Sequence, residues 1–363
     1  MNSHQPRPGS TATPCFCPIV PPHIVDALTA SDDPELRAIG ERTQEQDRLH
    51  RQQRLQAITA PPAAPPAAGD QPDRTIFDAR HSTDLPGDRS RGEPDQPGRD
   101  QAANDVYDGL GATFTFYYEV FQRRSVDNAG LPLNATVHFG RDYDNAFWNG
   151  QQMVFGDGDG RIFQNFTGNV GVTAHELTHG VTQFSGGLDY QGQSGALNES
   201  ISDVFGSLVQ QYALRQTAAD ADWLIGAGVL APGVSGVALR SMKAPGTAYD
   251  DPRLGGQDPQ PAVMADYREM QADNGGVHIN SGIPNYAFYL VADALGGYAW
   301  EKAGRIWYQT LTAGTLPSNA DFATFAQATA ATAHSLYGAG AEEDAVRKAW
   351  AQVGVNGNSF SGS

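Results

Sequence analysis

His175 and His179 lie four positions apart in the segment AHELTHG, and Glu176 stands between them. On an α-helix, residues i and i+4 share one face, so both imidazoles can bind one zinc ion at roughly 2.0–2.1 Å. Glu176 would project beside that ion, where its carboxylate can accept a proton from a metal-bound water. The alternative is a polar helix face that carries two histidines by chance. A catalytic zinc ion needs three protein ligands and an open fourth position, so the prediction requires one more ligand elsewhere in the chain.

The segment GALNESISD, residues 195–203, supplies candidates for the rest of such a site. Its spacing is helical, and Glu199 is predicted as the third zinc ligand, presented by a helix that packs against the first. Histidine ligands usually donate their second ring N–H to a carboxylate or carbonyl oxygen. Asp203 and Asn198 are placed to accept from the two histidines. The alternative is an ordinary amphipathic helix whose carboxylates face solvent.

The length and charge of the chain exclude several classes of protein. With 363 residues it exceeds the usual size of one domain, so two lobes are expected. A formal net charge of −17 argues against a nucleic-acid partner, because phosphate binding requires a basic surface. No apolar run reaches the roughly 18 residues of a membrane span. The first residues of the sequence also lack the apolar core of an ordinary signal peptide.

Composition separates an N-terminal segment from the main body. Residues 1–58 contain a charged segment with helical spacing, and Asp32 or Asp33, before Pro34, is its candidate N-cap. Residues 59–73 are rich in proline and alanine and are predicted to form a semi-rigid linker. Residues 1–58 are therefore separated from the main body of the chain.

The main body is predicted to have a β-rich lobe, residues 74–180, and an α-helical lobe, residues 181–363. Alternating β-branched and aromatic residues predict strands in ATFTFYYEVF (residues 112–121), in ATVHFG, and on both sides of a Gly/Asp turn in MVFGDGDGRIF (residues 153–163). From Val172 onward, apolar residues at i, i+3 and i+4 predict successive helices. The HELTH helix would lie at the junction of the lobes, where clefts usually form.

Four segments in this order resemble the thermolysin family of zinc metalloendopeptidases: NAFWNGQQMVFGDGDG, AHELTHGVT, GALNESISDVFG and DNGGVHINSGIPN. The resemblance runs from about Ile76 to the C-terminus. The N-terminal VPPHIV resembles the short propeptide of the protealysin branch of that family. The resemblance implies an α+β, thermolysin-like zincin fold with the zinc site in the cleft between the lobes. It also implies that residues 1–58 are a propeptide.

The resemblance assigns catalytic roles residue by residue. It implies zinc ligation by His175, His179 and Glu199, with Glu176 as the base that activates water. It further implies that His278 and Tyr190 stabilise the oxyanion and that Asp273 orients His278.

The same resemblance implies a set of substrate-binding residues. Arg240 would bind a substrate carbonyl, and Asn145 and Ala146 would pair with the substrate backbone along an edge strand. Four residues would line the pocket after the scissile bond: Phe163, Phe166, Val172 and Leu239. Such a pocket implies cleavage before a bulky hydrophobic residue. Ordinary core packing is the alternative for these four residues.

The sequence departs from the family at positions that bind calcium in thermolysin-like enzymes. Gly171 and Val237 stand where calcium-associated aspartates are expected, and LVQQYALRQ (residues 208–216) replaces a carboxylate-rich cluster. Hard cations need oxygen ligands, usually with several carboxylates. We expect the principal calcium sites to be missing or weak. The GDGDG segment is interpreted as a tight turn and not as a calcium loop.

Cys15 and Cys17 are the two cysteines of the chain. A disulfide between such near neighbours would not crosslink the fold. A thiolate from this segment could occupy the open zinc position of a precursor, since zinc favours sulfur ligands. The simpler alternative is two exposed thiols on an unstructured lead.

The sequence therefore predicts a zinc-dependent endopeptidase that is made as an inhibited precursor. We expect a monomer that acts on proteins or peptides, is held inactive by its own propeptide, and needs neither nucleic acid nor membrane. Secretion without an ordinary signal peptide is expected, with a cytoplasmic location as the alternative. Other candidate functions are peptide binding without turnover and another His₂Glu zinc peptidase, such as an aminopeptidase. The full set of catalytic residues argues against peptide binding without turnover. An aminopeptidase would need an acidic motif that binds the amino group of the substrate, and the sequence contains no recognisable motif of this kind.

Overall fold

The structure of the protein, a computed structural model, describes residues 16–56 and 70–355. Cys15 and residues 59–69 of the predicted linker lie outside these ranges. Among the described residues, no helix combines the length and the apolar character that crossing a membrane would require.

Six strands form one mixed sheet in the spatial order β1-β5-β6-β4-β2-β3. Strand β4 runs parallel to β2 and β6, and the other neighbouring pairs are antiparallel. Two further ladders pair β7 with β8 and β9 with β10. The strands are β1 (Cys17–Pro18), β2 (Arg74–Asp78), β3 (Asp88–Gly92), β4 (Leu133–Val137), β5 (Ala146–Trp148), β6 (Met153–Phe155), β7 (Leu224–Ile225), β8 (Arg240–Ser241), β9 (Asp250–Asp251) and β10 (Gly256–Gln257).

Ten α-helices occur among the described residues, seven of them from residue 170 onward. They are α1 (Pro22–Thr29), α2 (Pro34–Gln56), α3 (Gln101–Phe121), α4 (Val170–Phe184), α5 (Gly192–Leu214), α6 (Asp273–Asn280), α7 (Gly282–Leu295), α8 (Ala303–Thr312), α9 (Phe322–Tyr337) and α10 (Ala341–Gln352). Helix α4 carries the HELTH segment, and α5, α7, α8 and α10 coincide with other predicted helices. The α+β fold class is confirmed: a mixed sheet precedes a helical region.

The predicted strand at residues 112–121 is wrong, because this segment lies inside helix α3. Phe114, Phe116 and Tyr117 are all buried, so the helix contacts the core on more than one side. Within this segment only Thr115 and Glu119 are exposed, and aromatic residues on either side of this narrow polar stripe imitate strand alternation. The start of the helix is fixed by Asp100, whose side chain accepts a hydrogen bond from the backbone N–H of Ala103.

The prediction for MVFGDGDGRIF is half correct. Met153–Phe155 form strand β6, but the second predicted strand is absent, and Phe163 makes only an isolated bridge to Leu230. The Asp159 carboxylate accepts hydrogen bonds from the backbone N–H groups of residues 161–163, at 3.0, 2.8 and 3.0 Å. These donors are therefore satisfied by a side chain and not by a neighbouring strand.

The N-terminal segment packs directly against the body. Strand β1 pairs with β5 and so forms one edge of the sheet, and Ile24 and Leu28 of α1 are buried in the main core. Helix α2 begins where the sequence predicted, with the Asp33 carboxylate accepting from the backbone N–H of Glu35 at 2.9 Å. Residues 16–56 thus contribute both a strand and an apolar helix face to the folded body.

A carboxylic acid is buried between helix α2 and the loop before β5. Asp47 accepts hydrogen bonds from the hydroxyl of Tyr143 at 2.5 Å and from the side-chain amide of Asn145 at 3.2 Å. Burial raises the pKa of Asp47 to about 7, although both hydrogen bonds and the nearby Arg51 oppose the rise. Packing of this helix is therefore coupled to the protonation of one side chain.

Asp47→Asn should remove one pH dependence from the docking of helix α2. Release of the helix would return the pKa of Asp47 to its ordinary value of 3.8. Because the pKa of Asp47 is higher when helix α2 is docked, the protonated side chain stabilises docking. This stabilisation is fully present below about pH 4 and is lost as the pH rises to about 7. Asparagine stays neutral and can still accept from Asn145 while donating to the Tyr143 hydroxyl. Relative to the variant, wild-type docking should weaken up to about ten-fold per pH unit across that window.

The measurement is hydrogen exchange of the α2 backbone amides, corrected for intrinsic rates, in a Glu176→Ala background that prevents self-cleavage. The exchange rates of the two forms, with Asp47 and with Asp47→Asn, are compared at each pH. Because His23 is present in both forms, this comparison removes its contribution, which has the opposite pH dependence. Burial lowers the pKa of His23 to about 4, so its contribution to docking is lost as the pH falls. Identical pH profiles for the two forms would contradict the assignment to Asp47.

Candidate active site

Helices α4 and α5 bring three potential metal ligands together. The Nε2 atoms of His175 and His179 are 3.2 Å apart. The Glu199 carboxylate lies 3.6 Å from each of these nitrogens, with Oε2 facing His175 and Oε1 facing His179. All three side chains are buried. Helix α4 starts at Asn169, whose side chain accepts from the backbone N–H of Val172 and so fixes the first turn before the histidines.

The second ring nitrogen of each histidine lies close to a side-chain oxygen atom. Nδ1 of His175 lies 2.8 Å from Oδ1 of Asp203, and Nδ1 of His179 lies 2.9 Å from Oδ1 of Asn198. Asp203 and Asn198 therefore lie where the sequence analysis placed them. Ser202, which the sequence analysis did not select, places its hydroxyl 3.1 Å from the same nitrogen of His179. These contacts fix the ring orientations and leave both Nε2 atoms facing one another.

The three ligand atoms fit one zinc ion. Bonds of roughly 2.0–2.1 Å in a tetrahedral arrangement place ligand atoms roughly 3.3 Å apart. The observed separations of 3.2 and 3.6 Å bracket that value. Oε2 of Glu199 is also buried without a hydrogen-bond partner in the described part of the chain. A buried carboxylate oxygen normally has a partner, and a cation between the two rings would supply one.

Glu176 lies beside this cluster and is held by the edge strand. Its Oε2 accepts a hydrogen bond from the backbone N–H of Trp148 at 3.0 Å, while Oε1 has no partner among the described residues. Burial, and then the charge of Glu199, raise the pKa of Glu176 well above its usual range. The sequence analysis missed Trp148, because a backbone donor leaves no residue-type signal.

A second group of polar side chains faces the cluster from helix α6. Asp273 Oδ1 lies 2.6 Å from Nδ1 of His278, and its Oδ2 accepts from the His278 backbone N–H at 2.9 Å. Burial lowers the pKa of His278, but Asp273 and Glu199 together raise it to about 9. The Tyr190 hydroxyl donates to Glu199 and lies 3.3 Å from Nε2 of His278. His278 and Tyr190 therefore lie side by side next to the ligands, with the Tyr190 hydroxyl proton directed to Glu199.

Arg240 is buried and connects the ligand helices to the cleft. Its guanidinium donates to both carboxylate oxygens of Asp203, at 2.9 and 2.8 Å, and donates through Nη1 to the backbone carbonyl of Ile19 at 3.0 Å. Asn285, which the sequence analysis did not select, donates to Asp203 at 2.8 Å. One carboxylate thus contacts both a candidate metal-ligand histidine and the arginine predicted to bind substrate.

The N-terminal segment runs through the cleft beside these groups. Ile19 donates its backbone N–H to the carbonyl of Ala146 at 3.0 Å, and Val20 donates to Oδ1 of Asn145 at 2.9 Å. Asn145 and Ala146, expected to hold a substrate backbone, thus hold this segment of the same chain.

Cys17 reaches the metal-ligand cluster. Its sulfur lies within 4.8 Å of ligand atoms of His179 and Glu199. The alternative of an exposed thiol is wrong for this residue, which is 1% exposed, because pairing with β5 draws it into the cleft. Cys17 takes part in a disulfide bond. Cys15 lies outside the described residues.

The four residues expected to line an apolar pocket are fully buried: Phe163, Phe166, Val172 and Leu239. They belong to the same hydrophobic core as Ile19 and Val20. Burial is compatible both with a pocket wall and with core packing, so their role stays a prediction.

Two family models match this chain: the thermolysin metallopeptidase catalytic domain over residues 70–183 and the thermolysin metallopeptidase alpha-helical domain over residues 186–355. The chain belongs to the thermolysin family. An extracellular metalloprotease of Pectobacterium carotovorum subsp. carotovorum is 52% identical over 344 residues, which cover 94% of this chain and 96% of that protein. A thermolysin of Alicyclobacillus acidocaldarius subsp. acidocaldarius is 40% identical over 289 residues, which cover 77% of this chain and 50% of that protein.

The solved structure of the precursor of protealysin, a metalloproteinase from Serratia proteamaculans, is also similar. It matches with a TM-score of 0.85 at 50% sequence identity and covers 94% of this chain and 100% of that chain. The predicted family, fold and enzyme class are confirmed. This member of the thermolysin family is a metalloendopeptidase, and the match to a precursor supports a chain that contains a propeptide. Family membership implies zinc, and the relatives named extracellular support secretion.

Proposed function

We propose that His175, His179 and Glu199 hold the catalytic zinc ion of this endopeptidase and that Glu176 is the general base. The bound ion would lower the pKa of a water molecule toward neutrality and polarise the peptide carbonyl. Glu176 accepts a proton through Oε1, since Trp148 already occupies Oε2. It then returns the proton to the leaving amine. The proposal is supported by three buried ligand atoms at tetrahedral spacing with a buried carboxylate beside them.

His278 and Tyr190 are proposed to donate hydrogen bonds to the carbonyl oxygen as it becomes negative. Donors that are already oriented contribute most at such an oxygen, because no reorganisation is needed when the charge develops. Asp273 orients His278 through two contacts with one carboxylate, to Nδ1 and to the backbone N–H. The raised pKa of His278 favours its protonated form near neutral pH, in which Nε2 is a donor.

Asn145, Ala146 and Arg240 are proposed to bind the substrate backbone, and the apolar residues behind them are proposed to favour cleavage before a bulky hydrophobic residue. Pairing with the substrate backbone depends little on the substrate sequence. The apolar pocket would therefore supply the preference for a bulky hydrophobic residue after the scissile bond. The burial of Ile19 beside Arg240 supports this proposal.

Residues 1–58 are proposed to inhibit the enzyme in cis, and the described part, residues 16–56, supports this. Strand β1 covers edge strand β5, and the residues after it bind Asn145, Ala146 and Arg240. A substrate cannot bind these groups of the cleft while the N-terminal segment holds them. Helices α1 and α2 anchor the segment by burying apolar surface.

Glu176→Ala should keep zinc and fold but lose casein cleavage by several orders of magnitude, because the base is removed while every ligand remains. Zinc content and casein cleavage, each with and without a chelator, are measured for both forms. Wild-type turnover in the variant would contradict the mechanism. Loss of zinc from the variant would instead place Glu176 among the ligands.

Removal of residues 1–58 from the folded precursor by proteolysis should raise the rate of peptide cleavage, because the cleft becomes accessible. The uncut precursor in the Glu176→Ala background, supplied as a substrate, controls for cleavage between molecules. A precursor as active as the processed enzyme would contradict inhibition by this segment.

A matched precursor with Cys15→Ser and Cys17→Ser tests whether sulfur contributes to this inhibition. A disulfide sulfur carries no charge and is a weak zinc ligand, whereas a thiol reductant would generate a thiolate beside His179 and Glu199. If sulfur binds zinc, reductant should deepen inhibition of the wild-type precursor and leave the double variant unchanged. If the wild-type precursor and the double variant are equally active under reductant, inhibition is caused by the backbone of the segment in the cleft and not by sulfur.

Added calcium should raise the melting temperature little. A Cβ atom at Gly171 would lie 2.9 Å from an amide oxygen of Gln210 and 3.0 Å from one of Asn169, so this region presents amides and not carboxylates. Val237 is apolar and 60% exposed. A ligand stabilises a protein only through its binding to the native state. A rise of more than about 10 °C at millimolar calcium, or roughly 3 kcal/mol, would contradict the proposal.

A further inference from the structure

The backbone that leads to His278, the proposed oxyanion donor, is not a regular helix. Four consecutive residues shortly before it have positive φ angles, which are 53° at Asp273, 48° at Asn274, 86° at Gly275 and 76° at Gly276. This left-handed conformation is unfavourable for residues other than glycine, so neighbouring groups have to hold it. No right-handed helical turn therefore precedes His278 to fix the direction of its side chain.

Side chains bind both backbone groups of His278. Its N–H donates to Oδ2 of Asp273 at 2.9 Å, and Oδ1 of the same carboxylate lies 2.6 Å from the ring nitrogen Nδ1. Its carbonyl oxygen accepts from Nε2 of Gln260 at 2.8 Å and from the Ser281 hydroxyl at 3.0 Å. The other ring nitrogen, Nε2, lies 3.5 Å from Glu199. The position of this nitrogen thus depends on the contacts at both backbone groups.

Gln260 and Ser281 also bind one another. Nε2 of Gln260 donates to the Ser281 hydroxyl oxygen at 3.1 Å, and both side chains donate to the His278 carbonyl. A carbonyl oxygen accepts at two lone pairs, so these two donors fill its capacity. Because a carbonyl cannot donate, the amide nitrogen of Gln260 has to face it. All three residues are buried, so loss of either donor would leave a buried acceptor partly unsatisfied.

The loop that carries Gln260 is fixed by a buried carboxylate. The backbone N–H of Gln260 donates to Oδ1 of Asp258 at 3.0 Å, and Oδ2 accepts from two backbone N–H groups of residues 246–248, at 3.1 and 3.2 Å. A Cβ atom at Gly282 would lie 2.6 Å from the Pro261 carbonyl oxygen, so glycine at the start of α7 permits this close approach of the loop. Gln260 therefore projects toward His278 from a loop that is held in place.

We propose that Gln260 and Ser281 are positioning residues for the oxyanion donor. They bind the carbonyl of His278 while Asp273 binds its N–H, and together these contacts hold the imidazole Nε2 where the oxyanion develops. Oriented donors act most strongly on a developing charge, so displacement of Nε2 would weaken binding of the transition state more than binding of the substrate. The proposal rests on the proposed role of His278.

Gln260→Met tests this role, because it removes the amide donor and keeps an unbranched side chain of similar length. The variant is made as the full-length chain and processed by proteolysis, and its zinc content and melting temperature are compared with those of the wild type. We expect kcat to fall about ten-fold with KM nearly unchanged, because the charge develops only in the transition state. Calorimetry should show the same loss of affinity for an N-phosphoryl peptide, a tetrahedral anion, and unchanged affinity for a peptide product.

A double-mutant cycle with His278→Ala separates positioning from a general effect on the fold. His278→Ala alone should lower kcat about 100-fold or more, since one oxyanion donor is lost. Gln260→Met should then lower kcat by less than about two-fold further, because no imidazole remains to be positioned. A full ten-fold further loss in that background, or a wild-type kcat for Gln260→Met alone, would overturn the proposal. If His278→Ala itself kept the wild-type kcat, the proposed function of His278 would be refuted instead.

Ser281 provides an independent test, which also applies if Gln260→Met does not fold. Threonine and valine have nearly the same branched shape, and threonine keeps the hydroxyl group. Ser281→Val should therefore have a kcat about ten-fold lower than that of Ser281→Thr, at similar KM and melting temperature. Equal kcat values for these two variants would contradict a positioning role for the hydroxyl group.

Discussion

The arrangement of the site depends on one buried carboxylate, that of Asp203. It accepts two hydrogen bonds from Arg240 and one from Asn285, and it lies 2.8 Å from Nδ1 of His175. An unpaired charge in this position would be strongly unfavourable, so Asp203 and Arg240 have to be buried together. Burial raises the pKa of Asp203, but Arg240 and His175 outweigh this effect and hold it well below its usual range. The pair joins helices α4, α5 and α7 to strand β8. Disruption of it would affect metal ligation and substrate binding together.

The same geometry explains how a protease of this kind can be held inactive without distortion. We propose that substrate binding uses the side chains of Asn145 and Arg240 and the backbone carbonyl of Ala146, and any extended segment with matching backbone groups can occupy them. The propeptide supplies such a segment and is attached to the body through α1 and α2. Because attachment makes the binding intramolecular, modest individual hydrogen bonds suffice to exclude substrates. Proline residues on both sides limit the number of ways in which the segment can bind.

Two buried titratable groups, Asp47 and His23, lie in the packed propeptide and shift in opposite directions. The pKa of Asp47 is raised to about 7, and that of His23 is lowered to about 4, in both cases with burial as the largest cause. Release of the propeptide therefore frees a proton from one group and takes one up at the other over the mildly acidic range. The two effects oppose one another there, so neither alone sets the pH dependence of the precursor.

The sequence by itself determined the chemistry of the site, because its information is local. Spacing along one helix fixes His175, Glu176 and His179 on α4, and spacing along the next fixes Glu199 and Asp203 on α5. Tertiary structure decided what local patterns cannot encode. The helical conformation of residues 112–121 is not predicted by their pattern, because only Thr115 and Glu119 are exposed there and the amphipathic signal is weak. The backbone N–H of Trp148, the support of Asp203 by Asn285, and the placement of Ile19 against Arg240 depend on elements far apart in the chain. Side-chain type reveals none of these contacts, since they follow from how the packed elements meet.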